Sequence, residues 1–328
     1  MTDMPKAIVI RNYGGSDVMK LEDIAMPKPN DGELRIRQTS IGVNFHDVYV
    51  RSGLYKTLPL PGILGCEGAG VIEEIGDSVE GFNIGDRVAY VTGPPYGAYA
   101  SHRILLASVA VPLPDAVSDD LAAATLLRAL TVELLTQRVH RLEAGMTILI
   151  HAAAGGVGRL MCQWASHMGV TVLGTVGSPE KAEIARASGC DHPILYRETA
   201  FEDEVLRLTN GRGVDVVYDS IGVDTFAGSL KALALCGHLV NFGQSSGPVD
   251  PLAMSTLAEK SLTVTRPILF HYLADPVQYR AMVDAVFKSF GTGMLRSDDP
   301  ISVPLAEAKK SHDILESRKA IGGLVLKP

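Results

Sequence analysis

The sequence predicts an α/β protein of two domains, a β-rich antiparallel domain over residues 1–125 and a parallel sheet with covering helices over 126–269. Three observations carry this. Up to about residue 125, short β-rich runs are broken by Gly and Pro, which suits a barrel-like antiparallel fold. From about 126, strand-like and helix-like runs alternate, which implies a parallel sheet with right-handed crossovers. At the head of that alternation stands a glycine-rich turn, Ala153 to Gly158. The 328 residues suffice for two domains, and 46% hydrophobic content supplies both cores.

In order along the chain, "KAIVI", "ELRIRQTSIGV", "GAGVIEEIG", "DRVAYV" and "HRILLASVAVPLP" read as the strands of the first domain. In the second, "MTILIHA", "VTVLGTV", "HPILY", "VDVVYDSI", "HLVNFG" and "LTVTRP" read as strands, with helices over 157–168, 179–188, 201–209 and 224–235 between most of them. The run "KSLTVTRPILF", 260–270, is the expected last strand of the sheet. Two further helices, "DPVQYRAMVDAVFKSF" and "PLAEAKKSHDILES", and a final strand "GGLVLK" are expected to return over 270–328 and complete the first domain.

Bulk properties exclude several classes. A formal net charge of -7, with no basic tract, is not the footprint of a nucleic-acid binder. The four cysteines, Cys66, Cys162, Cys190 and Cys236, form no C-x-x-C pair and suit neither a disulfide framework nor a zinc loop. The N-terminal apolar run is too short for a signal peptide, and no apolar stretch has membrane-spanning length, so the expectation is a cytoplasmic protein without a membrane partner.

The turn reads A-x-G-x-x-G, with Ala153, Gly155 and Gly158 where a dinucleotide fingerprint has three glycines. Its positions serve a tight strand-to-helix turn, close backbone approach to a pyrophosphate, and helix-on-strand packing. Alanine is tolerable at the first position if its φ stays negative. A helix opening near Gly156 offers free N–H groups and a positive dipole end to phosphates. After the second strand, where an acid would hold the ribose hydroxyls of NAD, Val176 is followed by Gly177 and Ser178, then Lys181. A hydroxyl and an ammonium favour a 2′-phosphate, so NADPH is the expected cofactor.

The run Gly145–Ser166, "GMTILIHAAAGGVGRLMCQWAS", with its double alanine before Gly-Gly-x-Gly and with Gln163, resembles the signature of the quinone oxidoreductase and zeta-crystallin family of zinc-independent medium-chain dehydrogenases/reductases. The likeness extends through "GVNFHDVYVRSGLY", "GILGCEGAGVIEEIG", "GDRVAY", "YDSIG", "VNFGQSSG", "VTRP" and "ILESR". It implies a GroES-like catalytic domain and a Rossmann NADPH-binding domain with the active site in the cleft between them. It also implies that Gly177, Lys181, Tyr196 and Arg318 hold the 2′-phosphate, with Ser178 beside them. Gly156 and Val157 would face the pyrophosphate, while Ser245, Ser246, Gly247, Pro267, Ile268 and Leu269 flank the nicotinamide half.

Zinc-dependent relatives of this superfamily carry ligands at positions matching Asn44, Cys66 and the segment 125–129, Thr-Leu-Leu-Arg-Ala. Catalytic zinc needs three protein ligands, so no metal is expected, and Cys66 reads as a small buried packing residue. Acceptors that delocalise the incoming charge, quinones or α,β-unsaturated carbonyls, suit hydride transfer without a Lewis acid. Asn44, Tyr49, Tyr55 and Thr131 are the candidate polar groups around the acceptor. Asp47 is expected to fix a loop through Arg51, and Arg128 to be structural. The leading expectation is an NADPH-dependent quinone reductase. The alternatives are an alkenal or enone reductase, and a nucleotide-binding protein without turnover. A homodimer joined through the last strand of the parallel sheet is expected, since a bare apolar edge needs covering.

Overall fold

The computed structural model describes residues 4–317 and 322–328. The chain divides into two compact units, one running to Leu127 with Leu273–Asp284 and Ser297 onward, the other comprising Arg128–Tyr272 and Ala285–Arg296.

The first unit opens with β1 (Lys6–Ile10), β2 (Lys20–Asp23) and β3 (Glu33–Gly42), then helix α1 (Phe45–Ser52), β4 (Gly62–Ile63), β5 (Glu67–Ile75) and β6 (Arg87–Val91). β7 (His102–Leu106) and β8 (Val111–Pro112) follow, the run 102–114 being broken by a 3₁₀ turn at Ala107–Val109. Leu34, Ile36, Gln38 and Ser40 face inward at the two-residue period of a half-buried strand. Helix α2 (Asp119–Glu133) continues as a π-helical turn, Leu134–Val139. It is not signalled in the sequence, because most of its surface is buried and no polar stripe marks a 3.6-residue period.

In the second unit β9 (Thr147–Ile150), α3 (Gly156–His167), β10 (Thr171–Val176), α4 (Pro179–Ala187), β11 (His192–Leu195), α5 (Phe201–Leu208) and β12 (Val214–Asp219) alternate as expected. Then come α6 (Phe226–Ala232), β13 (Leu233–Asn241), α7 (Met254–Ala258), β14 (Thr263–Thr265) and α8 (Leu269–Tyr272). Two expectations are corrected. The helix expected over 224–235 stops at Ala232, and the strand expected from His238 begins at Leu233; the short apolar run "ALAL", 232–235, fits either period, and pairing with β12 decides it. The expected strand 260–270 is only Thr263–Thr265, with Leu269 already helical.

The sheet order is β11-β10-β9-β12-β13-β14, every pair parallel. Leu149, Leu173, Ile194, Val217 and Leu239 pack against Phe201, Val205 and Leu230 to form one core layer. His151 ties β9 to β10 and α6 through Thr175 (3.0 Å) and Ser229 (2.9 Å), and burial lowers its pKa.

The tail runs through α9 (Pro276–Gly291), β15 (Ile301–Pro304), α10 (Ala308–Glu316) and β16 (Leu324–Lys327). β16 pairs antiparallel with β3, in the sheet β15-β16-β3-β5-β6-β8. Among the described residues, no helix is long and apolar enough to cross a membrane.

Candidate functional site

In the second unit, strand order reverses between β9 and β12, and a doubly wound sheet binds its ligand beyond the carboxyl ends of the strands at such a point. The glycine turn leaves β9 there. Ala153 is buried and has no positive φ; the left-handed residue is Ala152, φ 52°, one position earlier. The first fingerprint glycine is dispensable because that backbone conformation has moved to its neighbour. Gly155 is extended at the N-cap of α3, where no side chain caps the helix, so its first N–H groups face outward for a phosphate. A Cβ on Gly158 would lie 2.8 Å from the Ala153 Cα and clash with the Ala152 carbonyl oxygen. A Cβ on Gly156 would lie 2.9 Å from Nη1 of Arg128, which places a buried guanidinium beside the first turn of α3. Val157 follows in that turn.

The next strands end in a second cluster. A Cβ on Gly177 would stand 3.0 Å from the Tyr196 hydroxyl, so the tyrosine, 44% exposed, lies across the end of β10. Ser178 caps α4 by accepting from the Lys181 N–H at 3.4 Å, which sets Lys181 on the first turn. Arg318 lies outside the described residues. After β13, the Ser246 N–H and hydroxyl both donate to the Ile221 carbonyl at 2.8 Å, and the Ser245 N–H donates to Ser220. Gly247 bridges to Gly222, so the loops after β12 and β13 are stitched together. Asp219 holds the first of these loops, accepting from Ile221, Gly222 and Thr225. Asn241, at the end of β13, buries an amide nitrogen with no hydrogen-bond partner. Pro267, Ile268 and Leu269 follow β14. An uncapped helix, side-chain-free backbone and an unpaired donor at one edge of the sheet fit a dinucleotide. Gln163 is elsewhere, in a reciprocal pair with the Arg296 backbone (3.1 and 2.7 Å), a structural role for a signature residue.

In the first unit, Asn44 caps α1 in a capping box, its backbone N–H donating to Asp47 at 2.8 Å. Its side-chain amide donates to buried Glu67 at 2.5 Å, and Glu67 also accepts from the Leu127 N–H at 2.8 Å. Glu67 is absent from the expected set, although a carboxylate inside the apolar run "GCEGAGVI" was the available signal.

Asp47 does not pair with Arg51, contrary to expectation. Its partners are the Asn44 N–H, the Tyr99 hydroxyl (3.1 Å) and the Cys66 thiol (3.7 Å), and burial pushes its pKa up to about 7. Arg51 points to the tail, forming two hydrogen bonds with Glu316 at 2.9 Å and one to Nδ1 of His312 at 3.1 Å. A guanidinium can only donate, so His312 Nδ1 accepts and its Nε2 carries the hydrogen toward Tyr99, 3.0 Å away. Burial, then the charge of Arg51, lowers the His312 pKa to about 3.

Tyr49 and Tyr55 meet edge-on, centroids 5.0 Å apart. Thr131 stands in the second unit, on α2 one turn beyond Arg128. Among the described residues no group of three or more His, Cys, Asp or Glu could hold a metal. Asn44 is committed to Glu67, and burial drives the Cys66 thiol well above its ordinary pKa, so the donor set at these positions does not suit zinc.

Comparison with known proteins matches residues 30–115 to the alcohol dehydrogenase GroES-like domain and residues 156–288 to the family described as zinc-binding dehydrogenase. The chain is 44% identical over 326 residues to a quinone oxidoreductase of Pseudomonas aeruginosa, covering 99% of this chain and 100% of the relative. It is 40% identical to a 2-haloacrylate reductase of a Burkholderia species, covering 99% of each. The crystal structure of Escherichia coli quinone oxidoreductase complexed with NADPH superposes with a TM-score of 0.95 at 37% identity, over 98% of this chain and 100% of that one.

Proposed function

The chain belongs to the quinone oxidoreductase family of medium-chain dehydrogenases/reductases, and on that premise we propose that it reduces quinones with NADPH. The observation that carries the reading is the cluster after β10, where the Tyr196 hydroxyl overhangs Gly177 beside Ser178 and Lys181, with no acid in the strand's last turn. Such a cluster suits a 2′-phosphate, the first turn of α4 setting the Lys181 ammonium against one acid, Glu180, which is held to Ser178.

Bound NADPH supplies a hydride from its nicotinamide. The chain's own residues bind and orient: the first turn of α3, from Gly155 through Gly158, takes the pyrophosphate, and Lys181, Tyr196 and Arg318 take the 2′-phosphate. Ser245–Gly247 and Pro267–Leu269 hold the nicotinamide half. Asn44, Tyr49, Tyr55 and Thr131 orient the acceptor, Asn44 being fixed for this by Glu67. No step passes through a metal.

A second reading, reduction of an α,β-unsaturated carbonyl, is supported by the likeness to 2-haloacrylate reductase. Loss of NADPH absorbance with a panel of quinones and enones separates the two, and turnover of neither overturns both.

The proposed division of labour is a catalytic domain of residues 1–125 completed by 270–328, of which Ala285–Arg296 group with the second unit, and a cofactor domain of 126–269, in a cytoplasmic homodimer. β14 is the edge of the parallel sheet, with Thr263 exposed and Val264 and Thr265 half-buried, and pairing with its copy would cover it. Pro267 limits that pairing, having no N–H. Light scattering should give about twice the chain mass, and Val264→Lys should lower it; a wild-type monomer at micromolar concentration would defeat the dimer.

A further inference from the structure

Around α1 the first unit carries a chain of rings. Phe45 meets Tyr49 (centroids 5.4 Å), Tyr49 meets Tyr55 (5.0 Å), Tyr55 meets His46 (5.6 Å), and His46 meets Tyr96 (5.6 Å). The interplanar angles run from 54° to 61°, so each ring is tilted against the next and none is stacked flat. Two hydrogen bonds lock one end, His46 Nε2 to the Tyr96 hydroxyl at 2.9 Å and Thr57 to the same hydroxyl at 2.8 Å. A packing core of this size would be fully buried and apolar. Here Tyr96 is buried, but Phe45, His46, Tyr49 and Tyr55 are half-buried, Thr57 is exposed, and two residues belong to the proposed acceptor set.

Resting on the reading of the chain as a quinone reductase, we propose that His46 and Tyr96 are specificity-determining residues that favour a planar aromatic acceptor over an acyclic enone. Phenol rings present electron-rich faces, and a quinone ring is electron-poor, so offset or edge-on contact is electrostatically complementary. An acyclic enone has no ring to offer and gains nothing from the arrangement. His46 sits between Tyr55 and Tyr96 and sets the angle of both. Burial lowers its pKa to about 4, so the ring enters this contact uncharged near neutral pH.

The test compares kcat/KM for 1,4-naphthoquinone with that for an acyclic enone such as pentenone in wild type, His46→Ala, His46→Phe and Tyr96→Phe. The quinone-to-enone ratio should fall about tenfold in His46→Ala, the size of a ring contact with its hydrogen bond. His46→Phe, which keeps a ring, should recover part of it, and Tyr96→Phe should fall about threefold. A calorimetric titration of 1,4-naphthoquinone onto protein saturated with NADP⁺, where no hydride is available, reads the same contact without turnover and should weaken in parallel. Equal loss for both acceptors, an unchanged ratio, or unchanged binding in folded His46→Ala, judged by its melting curve, overturns the inference. A wild type that binds the quinone in the NADP⁺ complex but turns none over with NADPH overturns the functional reading instead.

Discussion

The two units build their polar sites from opposite materials. At the glycine turn of the second unit, the working parts are backbone N–H groups and the side chains that are missing, at Gly155, Gly156, Gly158 and Gly177. At α1 of the first unit they are side chains with formal charge or strong dipoles, drawn from far along the chain. Asp47 reaches Tyr99, Tyr99 reaches His312, and Arg51 joins His312 to Glu316, 265 residues away. A backbone site is local and tolerates little added volume. A buried polar relay fails most on the loss of a partner, because each remaining group is then desolvated without compensation.

The largest expected effect follows from that difference. Arg51→Ala leaves the buried Nδ1 of His312 without its donor and Glu316 without its partner, and should cost about 3 kcal/mol. Chemical denaturation of the variant checks it, and Arg51→Lys, which cannot form the two-pronged contact, should recover only part. A loss below 1 kcal/mol would mean that the relay does not hold α1.

Acid should act on the first unit next, at a few kcal/mol. His46 and His312 have folded pKa values of about 4 and about 3 against an ordinary 6.5, so the unfolded chain takes protons first as pH falls. The stability they contribute is present above pH 6.5 and is lost as pH falls through those folded values. Asp47 works in the opposite sense: raised to about 7 from 3.8, it contributes stability present below its ordinary value and lost as pH rises through 7. Two histidines outweigh one aspartate, so the melting temperature should drop between pH 6.5 and about 4. The drop should be shallower in His312→Asn.

On the other side of the comparison, Gly158→Ala adds one methyl against the Ala152–Ala153 backbone and should cost about 1–3 kcal/mol of stability. It should also lose most NADPH binding, read by fluorescence titration, whereas Arg51→Ala acts on stability first. Lys181→Ala should be the mildest. It should reduce the preference for NADPH over NADH by about tenfold, roughly 1.4 kcal/mol, with NADH affinity little changed. Equal wild-type affinities for the two cofactors would remove the basis for the 2′-phosphate cluster.

The sequence alone determined the alternating order of β9 to β14, the place of the turn at Ala153–Gly158, and the run of Gly177, Ser178 and Lys181 after β10. Each of these depends on neighbours within a few positions: a period of 2 or 3.6, a glycine, a cap such as Ser178. Tertiary structure decided the rest. It moved the strained backbone to Ala152, started β13 at Leu233 inside "ALAL", and hid α2 by burying most of it. It also turned Arg51 away from Asp47, its expected partner four residues back, toward Glu316. It tied Asn44 to Glu67 and gathered His46, Tyr55 and Tyr96 into one cluster. A side chain at that distance leaves no period in the sequence, because the groups that satisfy it are brought together only when the strands and the C-terminal tail pack.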